Sequence, residues 1–148
     1  RGERAYGYFR KLLPGRVDQE TFAAEPYVYS QYITSDEHET AGRASHSWQT
    51  GTAAWMYRVA YDHILGVRPS YEGLVVDPVV PADWKGFKVE RVFRGARYLV
   101  EVANPDGVES GVASVVVDGQ AVPAGEPIAP RPAGATCRVS VTMGRRVE

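Results

Sequence analysis

The residues best suited to chemistry lie in one run, Trp48-Gln49-Thr50-Gly51-Thr52-Ala53-Ala54-Trp55-Met56-Tyr57-Arg58, where a small polar turn leads into a patterned helix. The first turn of a helix presents N–H groups that have no intrahelical partner, at the positive end of the helix dipole. A phosphate placed there is held by geometry as well as by charge. Glycine at position 51 lets an oxyanion come close to the backbone. Taken alone, the same residues have a plainer reading, in which Thr50 is only a helix N-cap whose hydroxyl accepts one first-turn N–H.

Either reading needs a helix just after the turn, and the sequence supplies one. Thr52, Trp55, Met56, Val59, Ala60, His63 and Ile64 follow the i, i+3, i+4, i+7 stripe, Gly66 stands where a C-terminal cap belongs, and Pro69 blocks continuation. On this stripe His63 is expected to be a core residue. A second helix is expected over residues 1–13, with Ala5, Tyr8, Phe9, Leu12 and Leu13 at helical spacing and Pro14-Gly15 as its stop. Residues 16–48 show little periodicity, but Phe22, Tyr27, Tyr29, Tyr32 and Ile33 make them too apolar for disorder. An ordered loop with a short helix around residues 27–33 is expected there.

Beyond Gly66 the composition changes to valine-rich runs divided by Gly and Pro, which read as strands at 74–77, 87–93, 97–103, 114–117, 120–122 and 136–142. Asp118-Gly119 and Gly95 suit tight hairpins. Alternation of Tyr98, Val100 and Val102 with Leu99 and Glu101 predicts a sheet with one face on a core. Residues 123–132 read as a proline-rich loop.

The bulk properties narrow the classes of partner. At 148 residues and 44% hydrophobic content, the chain can bury one ordinary core or part of a larger one. A net charge of −1 provides no broad basic field, so neither nucleic acid nor an anionic membrane surface is an expected partner. No run approaches the roughly 20 apolar residues of a membrane span. Cys137 is the single cysteine and cannot form a bridge within the chain; a buried, inert thiol and a cytoplasmic setting are expected. Asp36, Glu37 and Glu39 beside His38 lack the rigid presentation of a metal site, so no metal and no cofactor is expected, and with Asp62 they read as solvated carboxylates. Arg43 and His46 are candidates to face an anion. Because position 1 is Arg, the chain is expected to be cut from a longer protein, whose remainder is then a partner.

Three patterns in this order carry a resemblance. They are Glu25-Pro26-Tyr27-Val28-Tyr29-Ser30-Gln31, then Ser47-Trp48-Gln49-Thr50-Gly51-Thr52-Ala53-Ala54-Trp55, then Ile64-Leu65-Gly66-Val67-Arg68-Pro69 with Tyr71-Glu72-Gly73-Leu74, Asp77-Pro78-Val79-Val80-Pro81-Ala82-Asp83-Trp84 and Phe93-Arg94-Gly95-Ala96. Together they resemble the carboxyl end of the glycoside phosphorylases of glycoside hydrolase family ninety-four, formerly glycosyltransferase family thirty-six.

The resemblance implies an α+β chain: the last helices of an (α/α)6 catalytic barrel over residues 1–70, followed by a C-terminal antiparallel β-sandwich over 71–148. It implies an enzyme that splits a β-linked disaccharide, cellobiose or cellobionic acid, with inorganic phosphate to give an α-sugar 1-phosphate, with homodimers common in the family. By that resemblance Thr50 and Gly51 bind phosphate and Gln31 binds the donor sugar, although Gln31 taken alone reads as a buried amide that ties its loop together. The family's general acid falls before residue 1, so no residue here is assigned a catalytic role. Two other readings stand beside this one. One is a free-standing carbohydrate-binding or assembly module, for which Tyr71, Trp84, Phe87 and Tyr98 would have to line one sheet face. The other is the phosphorylase-like domain of a cyclic β-1,2-glucan synthase.

Overall fold

The computed structural model describes residues 1–145, and the chain divides into two compact units, Gly7–Arg58 and a second made of Arg1–Tyr6 with Val59–Glu148. Helix α1 (Gly2–Lys11) stops short of the expected end at residue 13. Its last amides tighten instead, Leu12 N–H to Phe9 O at 3.1 Å and Leu13 N–H to Arg10 O at 3.3 Å, as the chain prepares for Pro14, which cannot continue a helix.

The Gly7–Arg58 unit continues with a 3-10 turn (Pro14–Arg16) and the single-turn helix α2 (Gln19–Phe22), whose N-cap Asp18 accepts the Thr21 N–H at 3.1 Å. Then come β1 (Ser30–Ile33) and β2 (Ala44–Ser47), an antiparallel pair in the register Ser30 to Ser47, Tyr32 to Ser45 and Ile33 to Ala44. The short helix expected around 27–33 is therefore wrong: this stretch ends in a strand. Tyr32 and Ile33 favour extended backbone, and the hairpin gives that preference a partner strand. Thr34 closes the hairpin loop, its N–H donating to Arg43 O at 3.0 Å while its Oγ1 accepts the Arg43 N–H at 3.1 Å. Helix α3 (Thr52–Arg58) ends the unit.

In the other unit the helical path continues as a π-helical segment, Val59–Ile64, with Leu65 N–H bonded to Ala60 O at 2.8 Å, five residues back. Along the expected stripe Met56 and Ile64 are buried, but Trp55 in α3 is 71% exposed, and the widening moves position 63 off the buried side. His63, expected in the core, is exposed, and Asp62, expected in solvent, is 2% exposed and holds Arg91 at 2.6 Å. Arg91 also donates to Val67 O and lies over the Tyr61 ring, 5.7 Å from its centroid. Gly66 takes φ +68° as the cap was expected to, and a Cβ there would strike Asp77 O at 2.1 Å.

Strands β3 (Val67–Pro69) and β4 (Leu74–Val76) form a two-stranded ribbon. Strands β5 (Gly86–Phe93), β6 (Ala96–Ala103), β7 (Val112–Val117), β8 (Gln120–Val122) and β9 (Thr136–Met143) form one sheet in the order β5-β6-β9-β7-β8. Arg94-Gly95 and Asp118-Gly119 turn two of its hairpins with positive φ at both residues, the backbone that a two-residue hairpin needs. The sheet is mixed, which corrects the wholly antiparallel expectation: β6 and β9 run parallel, from Arg97 beside Thr136 to Ala103 beside Thr142. The proline-rich loop returns the chain to the Gly95 end, where Gly134 N–H bonds Gly95 O at 2.8 Å, and β9 fills the slot between β6 and β7 from there.

One face of this sheet is buried through Tyr98, Val100, Val102, Val115, Val117, Cys137, Val139 and Val141, so the predicted alternation holds. Burial raises the Cys137 thiol above the ordinary range, as an inert core cysteine requires. Asn104 closes the turn after β6. Fully buried, its Nδ2 donates to Trp84 O and Val108 O, each at 2.9 Å, and its Oδ1 accepts the Val108 N–H at 3.0 Å. Asn104→Ala strands these backbone groups away from water and is expected to cost about 3 kcal/mol in chemical denaturation. A loss under about 1 kcal/mol would show that the turn holds itself.

Candidate functional site

All of the sequence-assigned site residues lie in the Gly7–Arg58 unit, where four residues, Trp48 to Gly51, connect β2 to α3. The connection is sharply bent. His46 takes φ +55° and Trp48 takes φ +70°, and a left-handed conformation costs a residue with a Cβ roughly 1–2 kcal/mol. Their side-chain contacts come from Ser45 and Tyr32 for His46 and from Glu25 and Tyr27 for Trp48. His46 Nδ1 is 2.8 Å from Ser45 Oγ, and its ring centroid is 5.6 Å from that of Tyr32. Trp48 Nε1–H donates to Glu25 Oε1 at 3.2 Å, and its ring meets Tyr27 edge-on at 6.3 Å.

The turn itself differs from a simple N-cap at Thr50. Gly51 O accepts the Trp55 N–H at 3.1 Å, which makes Gly51 the cap residue. Thr50 stands one position earlier; its Oγ1 accepts the Thr52 N–H at 3.1 Å and shares a 2.7 Å hydrogen bond with Thr52 Oγ1. Among the described residues, the amides of Ala53 and Ala54 have no acceptor. Gly51 is exposed, its φ is not positive, and a Cβ would come no nearer than 3.8 Å to Trp55 Cδ1. Neither a positive φ nor packing demands glycine there; glycine suits the cap position, and it leaves the backbone open to approach.

Gln31 is on β1, exposed, and its amide has no hydrogen-bond partner among the described residues, which removes its reading as a buried tie. A cleft of about 280 Å³ is lined by Gln31 and by Thr52, the first residue of α3, together with Lys11, Leu12, Phe22 and Val28. Gln31 and the opening of α3 thus meet at one cavity, while Thr50 and Gly51 directly precede its lining residue Thr52. Lys11 was not singled out by sequence reasoning: it is an ordinary helix-end cation in sequence, and only the fold brings it to this cleft. Arg43 lines a different, more polar cleft with Thr34, Ser35, His38, Thr40 and Ser45, and His46 packs on Tyr32, so neither joins Gln31.

Other expectations are decided elsewhere in the chain. Of the four aromatics that a sugar-binding sheet face would need, Tyr98 is buried, Trp84 and Phe87 are half-buried against each other at 6.2 Å, and Tyr71 alone is exposed. The sheet's other face carries the ion pairs Lys88–Glu101 at 2.9 Å and Arg97–Glu90 at 3.1 Å. No group of three or more His, Cys, Asp or Glu able to hold a metal ion occurs among the described residues, and no described helix is long and apolar enough to cross a membrane.

Comparison with known proteins bears on the same segment. Residues 1–66 match the glycosyl hydrolase 94 superfamily, catalytic domain. Two N,N'-diacetylchitobiose phosphorylases, from Vibrio furnissii and Vibrio proteolyticus, are 45% and 42% identical to the chain over 146 residues, 97% of it. Residues 1–66 belong to the glycosyl hydrolase 94 superfamily. A cyclic beta-(1,2)-glucan synthase, NdvB, from Rhizobium meliloti is 35% identical over 120 residues, 78% of the chain and 4% of that protein. The chain spans 18% of the length of each Vibrio relative. The glycosyl hydrolase 94 match contains the β1–β2 hairpin, the bent connection and α3, the segment that brings Gln31 and Thr52 to one cleft.

The Glu25 carboxyl is held below its ordinary value of 4.5, first by its own backbone N–H and then by the Trp48 N–H and the Ser47 hydroxyl. A lowered folded-state pKa contributes stability that is fully present above the unfolded value and is lost as pH falls through the folded one. The Glu25 carboxyl resonance is therefore expected to titrate below that of a free glutamate and to move upward in Trp48→Phe. A titration that Trp48→Phe leaves unmoved would contradict the bond.

Proposed function

We propose that the full-length protein is an inverting β-glycoside phosphorylase, in which this chain supplies the last helices of the (α/α)6 barrel over residues 1–70 and a C-terminal β-sandwich over 71–148. Inverting hydrolysis needs a carboxylic acid for the leaving oxygen and a carboxylate base for water. Phosphate is already an anionic nucleophile, so the base is dispensable, and the site must instead hold a dianion in line with the anomeric carbon. Thr50 and Gly51 donate to that phosphate, Gln31 hydrogen-bonds the donor sugar, and the acid comes from the part of the protein that precedes this chain. The observation that carries the reading is that Gln31, with a free amide, and the first residue of α3 line one cleft.

The substrate reading shifts from cellobiose or cellobionic acid to an N-acetylated disaccharide, because the two Vibrio relatives, 45% and 42% identical, are named for N,N'-diacetylchitobiose. Incubation of the full-length protein with that disaccharide and phosphate is expected to yield N-acetyl-α-glucosamine 1-phosphate. Thr50→Ala is expected to raise the phosphate KM about 10- to 100-fold, the worth of one hydrogen bond to a charged group, and Gln31→Ala to raise chiefly the disaccharide KM. A phosphate KM unaffected by Thr50→Ala would overturn the assignment.

A further inference from the structure

Two motif residues, Glu25 and Trp48, touch neither of the groups assigned to phosphate and sugar, yet they touch each other across 23 residues of chain, Nε1 to Oε1 at 3.2 Å. Trp48 also stands edge-on to Tyr27, with centroids 6.3 Å apart and planes at 60°, and it is the residue held at φ +70°, two positions before Thr50. A bulky side chain keeps a left-handed backbone only where its surroundings over-determine it. Trp48 is 70% exposed, and the side-chain contacts it makes are these two, to Glu25 and to the Tyr27 ring. Without them only the long Gln49 N–H to His46 O bond, 3.4 Å, spans the backbone at 48, and a rotation there re-aims the Thr50 hydroxyl and the amides that follow it.

We propose that the Glu25–Trp48 hydrogen bond, backed by the Tyr27 ring, is a positioning latch for the phosphate turn: it keeps residue 48 inverted and thereby fixes the direction of the donors at Thr50 and Gly51. The latch rests on the phosphate site proposed above. Its chemistry makes it selective between substrates, since Trp48 acts on the connection that carries the phosphate donors, whereas Gln31 is held separately by the β1–β2 register. The acceptor has to be an oxygen at the Oε1 position and not a charge. A glutamine at position 25 keeps that oxygen, and it removes a negative charge from a site meant for an anion.

The test uses the full-length enzyme, inorganic phosphate and the disaccharide it cleaves, with separate KM values for each. Trp48→Phe keeps a ring against Tyr27 and deletes only the N–H; Glu25→Ala deletes the acceptor from the other side. Each is expected to raise the phosphate KM about fivefold, the usual worth of one hydrogen bond, with the disaccharide KM and the thermal midpoint little changed. The double variant should be no worse than either single one, because both remove one bond. Glu25→Gln should retain the parental phosphate KM or lower it. If Trp48→Phe does not fold, Glu25→Ala against Glu25→Gln reads the same bond.

The latch is overturned if both deletions leave the phosphate KM unchanged while Thr50→Ala raises it, or if both KM values rise together, as general loosening would cause. If Thr50→Ala also has no effect, the phosphate site fails along with the latch. Failure of the latch alone is thus distinguishable from failure of the site.

Discussion

The constraint on which the site depends is the length of the connection between β2 and α3. Four residues must reverse the chain out of a hairpin, start a helix, and leave the first-turn donors of that helix accessible. Regular backbone does not do this in so short a span: φ is inverted at Trp48 within the connection and already at His46, inside β2. Both left-handed residues take side-chain contacts from the two preceding segments, Tyr32 on β1 for His46 and the Glu25–Tyr27 loop for Trp48. These contacts tie the connection before α3 to the strand that carries Gln31 and to the loop that precedes it.

Within the second unit, the buried pair of Asp62 and Arg91 explains a different irregularity. The π-helical segment turns Asp62 inward and His63 outward, and Asp62 then meets Arg91 on β5, which also reaches the carbonyl of Val67. Breaking a buried ion pair by removing one partner is far more damaging than never having one. Such a pair therefore enforces the register between the segment and the sheet, even if its net contribution to stability is small. Asp62, which reads as a surface carboxylate in sequence, is fixed in this way by the sheet that follows, whereas Asp36, Glu37 and Glu39 are exposed as expected.

The valine-rich half was the more legible. Apart from β3, the strand positions, both two-residue hairpins and the alternation along β6 follow from local chemistry, since Arg-Gly and Asp-Gly turns and period-two burial are properties of a few adjacent residues. The parallel pairing of β9 with β6 was not legible, because strand direction is set by where a long loop returns and not by the strand's own residues. In the first half, β1 and β2 escaped notice because four-residue strands with Gln, Ser and His have no periodicity to read, and their partner lies beyond a ten-residue loop. The Thr-Gly-Thr turn was legible as a helix start; that its cap residue is Gly51 and that Thr50 serves Thr52 depend on the bend at Trp48, for which no sequence pattern exists.

Gln31 and Lys11 mark the limit of what sequence shows about the site. Both are polar residues on surface elements, and only the fold joins them to the α3 opening in one cleft. The most direct test of the account is a structure of the full-length protein with phosphate and the disaccharide bound. The account predicts phosphate oxygens about 3 Å from the Thr50 hydroxyl and the Gly51 amide, with the Gln31 amide on the donor sugar. Phosphate seated elsewhere, with Thr50 still serving only Thr52, would contradict it.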